Sequence, residues 1–516
     1  MSKSSKVKKM KLKILTTSFL LIFLLIVAFF PSFQCNTAPE TAPQYLDAST
    51  PSKTTAYITN IPYVWQEING FCHWACISMA LQHLGLPINL YDVFAATGIG
   101  FSAVYVTFED LRMFIPGSNY RQIYQAQYLA MLLGIDYTVM VDNSTEPGQM
   151  LTLTLDAWNL DYQLIEGGGE AQQTLCQCLD AGYPMLLWVD PFYLPPSDYD
   201  ILRNYSIHSS NTGSGHAILA IGYNDTAQIV WIMDPGVGAL GDHVAYPSDG
   251  RWHYNISYTD LNMAREALGF GAITITLRNP EHNLSQYSYP TFIYQRLLGI
   301  HSSYELTGFD PTIVSCGANA FRRLSADLSP GKLANYLLTL GDYKSILQTL
   351  YEQGILFEQS LTLQYLSYRS ALSRLQTLIP EKDLSLIQYH GQAAFPHFSV
   401  LTTNTSLTTF DPTSYHSLIK DTFWGIAESY EQTGNIYESV AQFTENLNII
   451  QAHLNGIAAT WEVIGYGLRF LISAPIYYSF MIIFFTGSLI AIIVVSSLIV
   501  HRNKRRSQIS EYPERT

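Results

Sequence analysis

The sequence predicts an α+β domain, then a helical region, then a single C-terminal apolar span. Three observations carry this expectation. Strand-like runs cluster between His216 and Leu277, downstream of a helix-like segment that opens at Cys72. Helical periodicity without a convincing strand fills Leu333–Leu378 and Ser417–Leu471. Finally, Pro475 to Val500 is 26 residues without a charge, and HRNKRR follows it directly.

The ends are read first. Residues 1–35 begin MSKSSKVKKMKLK and continue into a mostly apolar stretch from Ile14 to Phe30, the pattern of a signal peptide or an N-terminal anchor. At the other end, 26 helical residues span about 39 Å, enough to cross a bilayer with some tilt. A basic stop after that run places the tail 501–516 in the cytoplasm and the body outside it. Six Asn-x-Ser/Thr acceptor patterns, at Asn143, Asn204, Asn224, Asn255, Asn283 and Asn404, agree with that side and predict a glycoprotein. Of 516 residues 48% are apolar and 13% charged. Once the basic ends are set aside, the body carries 17 basic and 39 acidic residues. Such a body repels a phosphate backbone, which argues against nucleic-acid binding. Six cysteines are too few for a disulfide scaffold in a chain this long.

Between the ends, residues 36–56 are rich in Pro, Thr, Ser and Ala and read as a linker. The α+β domain is expected over 57–279. Trp74, Ile77, Ala80, Leu81 and Leu84 have helical spacing, and Gly85-Leu86-Pro87 closes that helix. A second helix is expected over Thr174–Ala181, ended by Gly182 and followed by the apolar run to Val189. Three strands then follow, HAILAIGY from His216, IVWIMD from Ile229 and GAITITL from Gly271, with Asn224-Asp225 as a hairpin turn between the first two. Helices first and an antiparallel sheet afterwards is the expected layout. Residues 280–474 are expected to form an all-helical domain leading to the span at 475–500. No Walker-type phosphate loop occurs, so no ATPase is encoded.

The chemistry concentrates in two places. In Gln66-Glu67-Ile68-Asn69-Gly70-Phe71-Cys72-His73-Trp74, an Asn-Gly turn delivers Cys72 to the start of a helix. Positive charge at a helix N-terminus favours a thiolate, the form that acts as nucleophile. Gln66 lies six positions upstream, where its amide could donate to an oxyanion. About 140 residues later, Gly215-His216 opens one strand and Asp234-Pro235-Gly236 closes the next. Neighbouring antiparallel strands would let Asp234 orient His216, the base for the thiol. Asp-Pro-Gly also suits a plain turn, and Cys76, His73 and His83 read as packing or surface residues. A zinc site from Cys72, Cys76 and a histidine lacks the usual spacing. No cofactor or metal is expected.

The stretch with Gln66, Cys72, Ala75, Cys76 and Met79 resembles the nucleophile motif of the bacteriocin-processing, double-glycine leader peptidase family. GHAILAIGYND and IVWIMDPGVG resemble that family's His and Asp strands. The likeness covers roughly residues 57–278. It implies a papain-like cysteine peptidase domain, with Cys72 as nucleophile, His216 as base, Asp234 as its orienter and Gln66 as oxyanion donor. His73 stands where the family usually has Gly. A weaker resemblance, carried by Gly317-Ala318-Asn319-Ala320-Phe321 and RRLSADL, is to the butirosin-biosynthesis acyltransferase-like group.

The expected function is a membrane-anchored, extracytoplasmic thiol hydrolase acting on a peptide or protein. Acyl or peptidyl transfer at the same site is one alternative, because an acyl-enzyme can be resolved by water or by another nucleophile. A non-catalytic binding or surface protein on a peptidase fold is the other. The sequence does not specify an oligomeric state.

Overall fold

Sequence runs that are apolar at nearly every position build a sheet covered on both faces. The computed structural model describes residues 53–471 except 109–110, 121–124, 158–159, 161, 205, 210–214, 241–243, 278–288, 305–310, 381 and 410. The N-terminal apolar stretch, the linker before Lys53, the Pro475–Val500 run and the basic tail lie outside the described residues. Among the described residues no helix is long and apolar enough to cross a membrane.

In chain order the strands are β1 (Thr55–Tyr57), β2 (Ala103–Thr107), β3 (Arg112–Pro116), β4 (Asn119–Tyr120), β5 (Ile135–Val141), β6 (Tyr162–Leu164) and β7 (Met185–Val189). They continue as β8 (His216–Asn224), β9 (Ile229–Met233), β10 (His253–Ser257), β11 (Ala272–Leu277), β12 (Ser302–Ser303) and β13 (Ile313–Cys316). Six helices matter for the argument: α1 (Cys72–His83), α2 (Leu90–Ala96), α3 (Gly167–Asp180), α4 (Tyr258–Glu266), α5 (Tyr343–Leu378) and α6 (Leu418–Thr433).

The main sheet runs β10-β9-β8-β7-β11-β5-β6, with β1 added alongside the second half of β8. Every pairing is antiparallel except β5 with β6. Side chains alternate across it as a period of two requires. Ala217 and Leu219 join the core on the α1 side, whereas Ile218 and Ala220 join the core beneath α3 and α4. A bulge between Ala220 and Gly222 shifts that parity and turns Tyr223 to the α3 side. The expected β8–β9 hairpin is present, with the Asn224 side chain accepting from the Ala227 N–H in its turn.

Two expectations are corrected. Strands do not wait for the helices to finish: β2, β3, β5 and β6 precede the run at His216. In β2 every position is buried, so the chain shows no polar alternation to mark a strand. The region after 279 is mostly helical but not all-helical, because β12 pairs with β4 and β13 pairs with β2. In a small three-stranded sheet β13 covers the edge of β2 that β3 leaves open, satisfying its backbone groups. The helix expected from Thr174 begins earlier, at Gly167, through three glycines that are poor helix formers.

Helix α5 is 36 residues long and packs against α6, α2 and β3. One apolar core runs without a break from Phe71 on α1's lead-in to Leu468 in the helix over 444–471. The backbone comes close to α5 at Gly100, where a Cβ would lie 2.3 Å from that of Ala371. Asp92 of α2 adds an ion pair with Arg374 of α5.

Candidate active site

The segment leading into α1 is fastened to the end of β9. Tyr63 Oη donates to the Asp234 carbonyl (3.0 Å), Gln66 N–H to the Pro235 carbonyl (3.1 Å) and Trp65 Nε1 to the Val237 carbonyl (3.0 Å). The Tyr63 ring also stacks on Trp252, with centroids 4.1 Å apart. Gln66 is thereby held beside the strand end that carries Asp234. Gly70 then turns the chain at φ +101°, a conformation that suits glycine, so that Cys72 is the first residue of α1. No acidic side chain occupies the first turn of α1, and Phe71 provides no side-chain cap. The positive end of the helix therefore faces the sulfur without a competing acid on that turn.

Helix α1 packs on β8, whose first residue is His216. The imidazole Nε2 donates to Asp234 Oδ1 at 2.7 Å, and Cys72 also bonds the ring. Since Nε2 is taken, Nδ1 is the nitrogen left for the thiol. Burial alone would push this imidazole down, but Asp234 and Cys72, through charge and hydrogen bonds, outweigh it and raise its pKa to about 10. Gln66 is 1% exposed, and its side-chain oxygen has no hydrogen-bond partner. An unpaired buried acceptor calls for a partner, and the Nε2 of the same amide is the group that could donate to a substrate oxygen. The four residues singled out in the sequence thus sit together, all of them buried.

Other residues at the site carried no sequence signal. Tyr199 Oη lies 3.0 and 3.1 Å from the two Asp234 oxygens and 3.1 Å from His216 Nε2. Tyr254 Oη donates to Asp234 Oδ2 at 2.9 Å. Gly236 donates its N–H to Oδ1 at 2.8 Å, and a Cβ there would lie 2.6 Å from His216 Cε1. The Asp-Pro-Gly string is therefore more than a turn, because its glycine lets the backbone approach the imidazole.

His73 is a packing residue. Its Nδ1 accepts from Trp188 Nε1 and its Nε2 meets Tyr137 Oη, both at 3.4 Å, and burial lowers its pKa to about 3. His83 is likewise committed, with Nε2 3.0 Å from the Gly182 carbonyl. Cys76 Sγ donates to the Ala217 carbonyl, and burial pushes its thiol up. The five described cysteines are all free. Among the described residues no group of three or more His, Cys, Asp or Glu side chains could hold a metal ion.

Residues 58–260 match the Peptidase_C39 like family. The matched stretch is less than half of the chain and contains Gln66, Cys72, His216 and Asp234. The match is to this broad family; neither the double-glycine leader group nor the butirosin-biosynthesis group is singled out. Among solved structures, a protein from Bacillus anthracis described as a C39-like peptidase aligns at 12% identity over 44% of this chain and 98% of its own. Its TM-score is 0.26, too low for any argument to rest on it. No curated protein matches the chain.

Proposed function

We propose that the chain is a cysteine peptidase in which Cys72 is the nucleophile, His216 the base, Asp234 its orienter and Gln66 the oxyanion donor. The observation that carries this reading is the His216 imidazole held between Cys72 and Asp234, with Gln66 tied by its backbone N–H to the neighbouring Pro235 carbonyl. Cys72 Sγ, having passed its proton to His216, attacks the scissile carbonyl carbon, and the carbonyl electron pair moves to oxygen, where Gln66 Nε2 donates a hydrogen bond. Collapse of the tetrahedral species expels the amine, which takes the proton from His216. Water, giving its proton to His216, then attacks the thioester and releases the acid, and the thiol is restored. The substrate is a peptide or protein, as the matched family implies. An activity-based thiol probe should label the wild-type chain and spare Cys72→Ala. Equal labelling of the two overturns the assignment.

The proposed location is outside the cytoplasm, with the chain anchored through 475–500 and the basic tail inside. Four of the acceptor asparagines (Asn143, Asn204, Asn255 and Asn404) are exposed, which suits glycosylation on that side. Protease added to intact cells should digest the body and leave the tail protected; a protected body overturns the orientation.

A further inference from the structure

We propose that Tyr199 and Tyr254 are positioning residues of this site: their hydroxyls share the charge of Asp234 and so hold the basicity of His216 below what a lone buried carboxylate would impose. The proposal rests on the reading of Cys72 and His216 as nucleophile and base.

Asp234 is completely buried, so its carboxylate depends on protein donors in place of water. Four groups supply them. Oδ1 receives His216 Nε2 and the Gly236 N–H, Oδ2 receives Tyr254 Oη, and Tyr199 Oη reaches both oxygens. A carboxylate offers about four lone-pair positions, so this one is close to saturated. Tyr199 has one proton to give. Nε2 is already a donor to Oδ1, so that proton goes to the carboxylate and the phenol oxygen faces the imidazole N–H. Burial, and the Asp234 charge after it, push both phenols well above their ordinary value. Each therefore stays a neutral donor wherever the enzyme would work.

The two tyrosines arrive from different elements. Tyr254 is paired with Ile232 in the β10–β9 ladder, two residues before Asp234. Tyr199 closes a short turn in the β7–β8 connection, and Arg203 braces that connection by bonding the carbonyls of Phe192, Leu194 and Pro196. Among the described residues the other titratable groups facing the pair are Cys72 and Cys76 from α1 and Tyr63 from its lead-in. Asp198 lies beyond Tyr63 and is itself paired with Arg251 at 3.5 Å. Among the described residues the ion pair of Asp234 is with His216, and the hydroxyls and the Gly236 N–H share its charge. Each hydroxyl withdraws electron density from the oxygens that hold the imidazole proton.

The test is the pH dependence of Cys72 alkylation by iodoacetate in the full chain. This anion is drawn to the site while His216 is protonated, so the fall in rate at high pH reports loss of the His216 proton. Tyr199→Phe and Tyr254→Phe should each move the midpoint of that fall upward by about one pH unit, a tenfold gain in proton affinity. Tyr258→Phe removes a hydroxyl from another carboxylate, Asp225, 2.6 Å away at the far end of the sheet, and should leave the midpoint in place. An unchanged or lowered midpoint in both site variants overturns the proposal; if one variant fails to fold, the other decides. If wild type and His216→Ala show the same alkylation profile, the assignment of His216 as base is overturned instead.

Discussion

Two carboxyl groups, one in each half of the molecule, are completely shielded from solvent and live under opposite conditions. Asp234, in the sheet half, is surrounded by donors and bonded to a histidine. Glu358, in the middle of α5, offers Oε1 to Thr362 Oγ1 (2.9 Å) and the Thr403 N–H (2.8 Å), while Oε2 has no hydrogen-bond partner. Burial raises the Glu358 pKa to about 7, and the hydrogen bonds and the charge of Lys420 offset it only in part. Other buried polar atoms on the same helix, including Gln353 Oε1, Gln359 Oε1, Ser360 Oγ and Gln364 Oε1, are also without hydrogen-bond partners. Burial by itself does not make a working acid or base. What separates the two is whether the fold converges enough donors to keep a charge in one orientation.

Neutralising each carboxyl with its own amide breaks the comparison from both sides. Asp234→Asn should lower thiol-dependent turnover by up to about four orders of magnitude, because the amide keeps the shape but loses the charge that favours imidazolium. Steady-state kinetics on a peptide substrate measures this, and a loss of less than tenfold contradicts the role of Asp234. Glu358→Gln should leave turnover alone and change stability. The acid form of Glu358 is favoured in the fold, so the wild-type chain loses stability as pH rises from about 4.5, the ordinary carboxyl value, to about 7. Across that window the loss amounts to roughly 3 kcal/mol, and the glutamine variant should not show it. Denaturant unfolding at about pH 5 and about pH 8 would check this. Parallel slopes for the two proteins would mean Glu358 is ionised throughout.

The sequence exposed the skeleton of the site and hid its lining. Cys72, His216 and Asp234 were legible because each stands at the end of an element, where turn residues and apolar runs mark the boundary. Gln66 was legible because it lies a short, fixed distance from the cysteine. Tyr199 and Tyr254 were not, because nothing local distinguishes a tyrosine whose hydroxyl will meet a carboxylate from one that will not. The ladder pairs Tyr254 with Ile232 and the β7–β8 connection delivers Tyr199, and both are facts of tertiary structure. Strand β13 escaped for a related reason: four residues between helical stretches become a strand only because β2 offers an open edge about 200 residues earlier. The helix at Cys72 and the β8–β9 hairpin, in contrast, are fixed by neighbours in the chain and match their expected positions within a residue or two.

The close seating of α5 on the earlier half has a consequence for how such a chain can be inherited. At Gly100 not even a methyl group fits between the halves, and at Gly70, two residues before Cys72, a Cβ would come within 3.3 Å of Leu363. The loop that presents the sulfur is thus moulded in part by a helix about 290 residues further on. A stretch cut to the limits of the family match would leave behind the helix packed against the loop before Cys72 and the strand that closes β2. The portable piece of this protein, the one a gene fusion would have to carry whole, is larger than the part that its relatives make recognisable.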